Sequence, residues 1–380
     1  MKKRFPIAAV ALLCAAQTAF SQLPAGLKPL PSNINQNSYP ALTEDLRVVF
    51  RLRAPQADRV QIELGRRYDM TKDAEGFWTV TTDPQEEGFH YYSLVVDGIA
   101  VADPASESFY GMGRMASAVD IPEQGTDFYD VRDVPRGALR SDRYFSKVTN
   151  SWRHMYVYTP PGYDSDLSRR YPVMYIQHGG GEDERGWATQ GRTDVILDNL
   201  IADGKAVPMI VVIANGNVAG AAGGTGYADD AQAAFRAEIS GCIIPYVDGR
   251  YRTYTDARRR ALCGLSMGGG QAFYSGLGSP LLFSHVGMFS SGLYGRGPEA
   301  EAFDVEAAMP GILTDTALYN DRLELFYISC GEGDPRIEPT KRAVALFREK
   351  GLEVEFSSFP GGHEWQVWRK SLHDFAQKLF

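Results

Sequence analysis

Ser266 lies between two glycines, in Gly264-Leu265-Ser266-Met267-Gly268, after the apolar run Ala261-Leu262-Cys263 and before a segment able to become a helix. A serine hydroxyl is a weak nucleophile until the fold exposes it and a base takes its proton. The G-x-S-x-G spacing supplies the exposure. The serine occupies a strained strand-to-helix turn, and its flanking glycines are required because a Cβ there would meet neighbouring backbone. The following helix aims free N–H groups at negative charge developing on a substrate. Five residues are a weak match by themselves, so the other parts of an acyl-transfer site must be found elsewhere in the chain.

Three of the six histidines follow Ser266. His285 opens an apolar run at its N-terminal end, away from the chemistry, and His373 falls within the final helix, expected at the surface. His363, in Pro360-Gly361-Gly362-His363-Glu364-Trp365, sits on a glycine-freed loop directly after the last expected strand, where a base is needed. An acid orienting that base should leave the end of the preceding strand. Cys330-Gly331-Glu332-Gly333-Asp334-Pro335 offers Asp334 first and Glu332 as the alternative, although an Asp-Pro pair is also a turn starter. The oxyanion donors expected are the N–H groups of Met267 and of Gly179 or Gly180 in Gln177-His178-Gly179-Gly180-Gly181-Glu182, with His178 supporting that loop. Trp187, Tyr227 and Trp365 are the aromatic candidates for holding a substrate ring, with packing as the alternative.

The elements that must position these residues are legible in outline. Apolar runs at 155–159, 171–178, 209–214, 260–263, 286–289, 325–330 and 353–357 read as strands. Helical spacing fills 194–202, 231–246, 339–350 and 365–380 between and after them. Alternation of this kind predicts an α/β domain over 147–380 with a mostly parallel sheet, whose ligands bind beyond the carboxyl ends of the strands. Ahead of it, short strands with turn residues between them, at 46–52, 60–64, 77–81 and 89–96, predict a small all-β sandwich over 41–122. Segments 22–40 and 123–146 read as a linker and an inter-domain connection.

At 380 residues the chain has room for both domains. Charged residues at 23% and a formal charge of −8, without a Lys/Arg cluster, exclude a phosphate-tracking surface, so nucleic acid is not expected as a partner. Met1-Lys2-Lys3-Arg4, the apolar run after it and Ala19-Phe20-Ser21 read as an export signal cleaved near Ser21. A lipidated Cys14 is the lesser alternative, because bulky Leu13 precedes it. No later run approaches the ~20 apolar residues of a membrane span. Cys242, Cys263 and Cys330 suit neither a disulfide framework nor a zinc site; they leave room for one bridge whose pair the sequence does not choose, and Cys263 and Cys330, each ending an apolar run just before a glycine, read as buried strand thiols. No metal or other cofactor is expected.

Several of these stretches resemble a known family. Tyr158-Thr159-Pro160-Pro161-Gly162-Tyr163, the loop from His178 to Trp187, Ile244-Pro245-Tyr246, Tyr251-Arg252-Thr253, the Ser266 turn and Gly361-Gly362-His363-Glu364-Trp365 are similar to the esterase-D-like α/β-hydrolases. The likeness is to carbohydrate esterase family 1 in particular, the feruloyl and acetyl-xylan esterases. Residues 41–122, with Gly76-Phe77-Trp78 and Gly88-Phe89-His90-Tyr91-Tyr92, resemble the immunoglobulin-like CBM48 module found ahead of glycan-active enzymes. Trp78, Phe89, Tyr91 and Tyr92 are expected there as core and inter-domain packing. The resemblance implies a Ser266–His363–Asp334 triad and an exported serine esterase acting on plant cell-wall polysaccharide, feruloyl groups first. The alternatives are an acetyl-xylan esterase and, from another class, a non-catalytic glycan-binding protein. The Gly/Ala-rich stretch 218–227 departs most from the family pattern and leaves the acyl preference open.

Overall fold

The computed structural model describes residues 23–218 and 228–380. The export segment and Tyr227 lie outside the described residues. The C-terminal domain is built on eight strands: β1 (Ala138–Ser146), β2 (Ser151–Thr159), β3 (Val173–Gln177), β4 (Ile210–Ala214), β5 (Arg260–Leu265), β6 (His285–Phe289), β7 (Leu325–Gly331) and β8 (Glu355–Phe359). Their spatial order is β1-β2-β4-β3-β5-β6-β7-β8. The β1–β2 and β2–β4 pairs are antiparallel and every later pair is parallel. Strands β3 to β7 are buried along their whole length. That is why they read as unbroken apolar runs, since helices cover both faces. Thr193–Ala202 and Trp365–Ala376 pack Ile196, Leu200, Val367, Leu372 and Phe375 on one face. Asp229–Glu238 and Ile337–Glu349 pack Phe235, Val344 and Phe347 on the other.

The chain leaves β3 for β4 on one side and then returns to β5 on the other. The sheet's topological switch point therefore lies between β3 and β5, whose last residues pair as Gln177 with Gly264. A crevice beyond the carboxyl ends of the strands at such a point is where open α/β sheets bind ligands. The loops leaving β3 and β5 are those that carry Gly179 and Ser266.

The N-terminal domain has two antiparallel sheets. One runs Lys28–Pro29, Ala41–Leu42, Arg47–Arg53, Phe77–Pro84, Thr71–Lys72. The other runs Ser108–Gly111, Arg114–Ile121, Gly88–Val96, Val60–Leu64, Arg66–Asp69, with Ile99–Val101 paired to Gly88–Val96. Val48, Phe50, Ile62, Trp78, Tyr92, Leu94 and Val119 form their shared core.

Two boundaries differ from the sequence reading. The segment read as a linker contributes Lys28–Pro29 to the first sheet, and Leu30 is buried in its core. The segment read as a connection ends in β1, an edge strand of the catalytic sheet. Asp142, Tyr144 and Ser146 point inward while Arg143 and Phe145 point out. Only half of such a strand is buried, and its charged outward residues hide the period of two.

The two domains share one interface core. Phe89, Ala118 and Tyr129 join Trp187, Trp365 and Val367 in a single apolar cluster. Arg369, 1% exposed, makes paired hydrogen bonds of 3.1 Å to both oxygens of Asp120, which also receives Arg192 at 2.6 Å. Bidentate, desolvated pairing of this kind fixes orientation, because leaving either charge unpaired would be costly.

Candidate active site

Ser266 directly follows β5 with φ 50° and ψ −110°, a left-handed backbone that a residue with a Cβ rarely adopts. Such strain costs on the order of 1–3 kcal/mol and persists only where the surroundings enforce it. Here its N–H donates to the Phe289 carbonyl at 2.8 Å, and its carbonyl accepts from the Gly269 N–H at 3.1 Å. A Cβ on Gly268 would sit 2.6 Å from the Gln177 carbonyl oxygen, and one on Gly264 2.7 Å from Gly268 backbone. The glycines of the turn are therefore dictated by the close approach of β3 and the following helix.

His363 brings its Nε2 to 3.1 Å from Ser266 Oγ and its Nδ1 to 2.6 Å from Asp334 Oδ2. A carboxylate at Nδ1 holds the proton there and leaves Nε2 free to accept the serine proton. The other carboxylate oxygen, Oδ1, accepts from the Arg336 N–H and from Arg336 Nη1, both at 3.0 Å. Burial pushes the Asp334 carboxyl up, but the His363 hydrogen bond and charge, together with Arg336, outweigh it and hold the group below its ordinary value. Glu332 is exposed and accepts from Ser358 Oγ at 3.1 Å instead, so Asp334 is the acid that reaches His363. Trp368 stands edge-on to the His363 ring at 5.0 Å.

On the β3 side, His178 donates from Nδ1 to the Gly179 carbonyl at 2.8 Å and accepts the Gly216 N–H at Nε2, 2.9 Å away. Burial lowers its pKa. Both ring nitrogens are committed to backbone, so the residue supports the loop. Gly179 corrects the expectation of an interchangeable pair of donors. Its N–H is already given to Glu182 Oε2 at 3.1 Å. The Gly180 N–H has no protein acceptor among the described residues, and Gly180 lines the cavity over Ser266. Met267, first residue of the helix Met267–Gln271, also has an N–H with no helical carbonyl to receive it.

The cavity over Ser266 and His363 measures about 270 Å³, below the ~300–1,000 Å³ of drug-sized ligand sites. Large apolar and aromatic side chains make up much of its wall. Trp365 and Trp368 come from the last helix, while Phe89, Tyr91 and Met112 come from the N-terminal domain. Trp365 lines the cavity as expected and donates its indole N–H to Tyr91 Oη at 3.1 Å. Trp187 does not line it. It is fully buried, donates to the Gln177 carbonyl at 2.9 Å and packs edge-on against Trp365, because it sits below the sheet ends and faces the domain core.

Sequence reasoning missed Trp368, although one helical turn from Trp365 puts it on the same face. Phe89 and Tyr91 had been assigned to packing, which they do, and they line the cavity as well. His285 is buried at the far end of β6. His373 is half-buried against Phe128 rather than at the surface. Cys242, Cys263 and Cys330 are buried and free. Among the described residues no cluster suited to a metal ion occurs, and no helix is long and apolar enough to cross a membrane.

A doubly covered, mostly parallel sheet with a serine turn after its fifth strand and a histidine after its eighth defines an α/β-hydrolase. Residues 146–379 match the Esterase family, and the chain belongs to it. It is 33% identical over 362 residues to an endo-1,4-beta-xylanase/feruloyl esterase of Xylanibacter ruminicola, which covers 93% of this chain. The chain spans about half (47%) of that relative's length. Among solved structures, a carbohydrate esterase family 1 ferulic acid esterase of Anaeromyces mucronatus, in complex with ferulic acid, is similar at 25% identity with a TM-score of 0.56. It covers 67% of this chain and 96% of its own. The enterochelin esterase of Shigella flexneri shares the fold at 18% identity, with a TM-score of 0.63 over 87% of this chain and 91% of its own.

Proposed function

We propose that the protein is an exported serine esterase that removes hydroxycinnamoyl groups, feruloyl first, from plant cell-wall polysaccharide. The observation that carries this reading is the hydrogen-bonded chain Asp334–His363–Ser266 opening on a small cavity walled by Phe89, Tyr91, Met112, Trp365 and Trp368. Such a cavity has room for one flat aromatic acyl group and offers little to an acetyl, whose single methyl would leave most of the wall uncovered. The activities of the Xylanibacter and Anaeromyces relatives point the same way.

In this mechanism Ser266 Oγ attacks the ester carbonyl while His363 Nε2 takes its proton. Asp334 keeps the imidazole in the required tautomer and stabilises the imidazolium. The N–H groups of Met267 and Gly180 receive the tetrahedral oxyanion. His363 then gives its proton to the departing sugar hydroxyl, and water resolves the acyl-enzyme by the same steps in reverse. Export rests on the basic-then-apolar start of the chain and the small-x-small site before Gln22. The CBM48-like domain acts in this reading as the outer wall of the acyl cavity.

The acyl preference is tested by incubating the purified protein with feruloylated and acetylated xylan and measuring both acids. Ferulate should be released at least tenfold faster than acetate, the difference expected from an aromatic ring filling an apolar pocket. Acetate release without ferulate would assign the enzyme to the acetyl-xylan esterases instead.

A further inference from the structure

The N-terminal domain reaches the loop after β3 as well as the cavity wall. The Gly113 N–H donates to the Gly181 carbonyl at 2.8 Å, and Tyr91 comes in beside Glu182. The Tyr91 hydroxyl oxygen accepts two hydrogen bonds, from Gln190 Nε2 at 2.8 Å and from Trp365 Nε1 at 3.1 Å. With both acceptor positions used, its own proton has to be given away, and the carboxylate beside it is Glu182. Glu182 is 6% exposed and pairs with no Lys or Arg among the described residues. It takes the Gly179 N–H from its own loop at 3.1 Å and the Tyr91 hydroxyl from the strand Gly88–Val96, with the Trp365 indole of the last helix, whose N–H goes to Tyr91, packed beside both. A buried carboxylate is tolerated when donors surround it in this way.

We propose that Tyr91 and Glu182 are a positioning pair through which the N-terminal domain sets the oxyanion loop. Ionised Glu182 ties down the Gly179 N–H and leaves the Gly180 N–H as the loop's donor to the substrate oxygen. The proposal rests on the reading of Ser266 as an ester-cleaving nucleophile, and neither member of the pair needs to touch the reacting atoms. Protonated Glu182 would bring a hydrogen of its own into a site already facing the Gly179 and Tyr91 donors, and the loop would lose its fixed geometry.

The pair therefore has a pH signature. Burial pushes the Glu182 carboxyl up to about 7, and Asp183 beside it acts in the same direction, against the Gly179, Trp365 and Tyr91 donors. The other titratable groups sharing its cavity are His363 and Glu364. The working form is the ionised one, so positioning is complete above that value and is lost as pH falls through it. Removing the Tyr91 hydroxyl removes a donor that favours the ionised form, which moves the loss to higher pH.

The test is the pH profile of kcat/KM on a soluble aryl ester for wild type, Tyr91→Phe and Glu182→Gln. In wild type, kcat/KM should lose about tenfold as Glu182 takes up its proton, on top of the loss that comes with protonating the general base, so the acid limb should be steeper than a slope of one through that region. Glu182→Gln should leave a slope of one, with kcat reduced about tenfold, the value of one neutral hydrogen bond, and KM nearly unchanged. Tyr91→Phe should shift the limb upward by about half a unit to one unit, the worth of one lost hydrogen bond to the carboxylate. A wild-type limb of slope one would overturn the pair even if neither variant folds. So would a Tyr91→Phe limb that coincides with wild type. Wild-type protein inert towards every ester would be a different failure, that of the esterase reading itself, and would take the pair with it.

Discussion

Replacing Ser266 by Ala is expected to lower kcat on an aryl ester by about a millionfold, the loss typical of removing a serine nucleophile. Among the described residues the cavity lining holds no other hydroxyl, thiol or amine apart from the Tyr91 phenol, whose pKa burial raises further. The fold should not suffer. Among the described residues Ser266 Oγ bonds His363 alone, and the φ of 50° strains Ala and Ser alike, so the thermal midpoint should stay within a degree or two. What turnover remains would come from the Met267 and Gly180 donors and from binding. Wild-type turnover in a purified Ser266→Ala variant would remove the serine from the mechanism.

Asp334→Asn is expected to cost about 10⁴-fold in kcat with little change in KM. The reason lies in how Asp334 divides its two oxygens. Oδ1 receives two donors from Arg336 and Oδ2 receives His363 Nδ1. An asparagine has one oxygen, and Arg336, with two donors and almost no exposure, claims it. The amide NH₂ then faces His363, which must turn Nδ1 into an acceptor and carry its proton on Nε2, the wrong nitrogen for a base. Glu332→Gln serves as the control. That exposed side chain bonds Ser358, and its loss should leave kcat near wild type. If the two variants behaved in the opposite sense, Glu332 would be the acid.

The parts of this site that could be read in the sequence share one property: they follow from the chain's own local order. Strands β3 to β7 are buried on both faces and announce themselves as apolar runs. The loops leaving their carboxyl ends are legible with them and carry Ser266 and Asp334, while His363 follows the last strand, β8. What could not be read depends on partners distant in the chain. Gly179 and Gly180 differ only because Glu182 turns back onto one of them. The apolar wall is assembled from Phe89, Tyr91 and Met112 of one domain and Trp365 and Trp368 of the other, and no local pattern records that meeting. Trp187 has the same residue type and lies near the same loop as a wall residue would, but a neighbouring carbonyl of β3 draws its indole inward. Strand β1 was lost because an edge strand with Arg143 and Phe145 facing out carries only half of a strand's apolar signal.

The central claim is that Ser266 becomes acylated and that His363 makes this possible. It is tested most directly by treating the protein with an aryl fluorophosphonate and locating the adduct by mass spectrometry of the digested chain. A single adduct on Ser266, formed rapidly in wild type and slowed by at least about 10³-fold in His363→Ala, is the expected result. No adduct, or one on any residue other than Ser266, would contradict it.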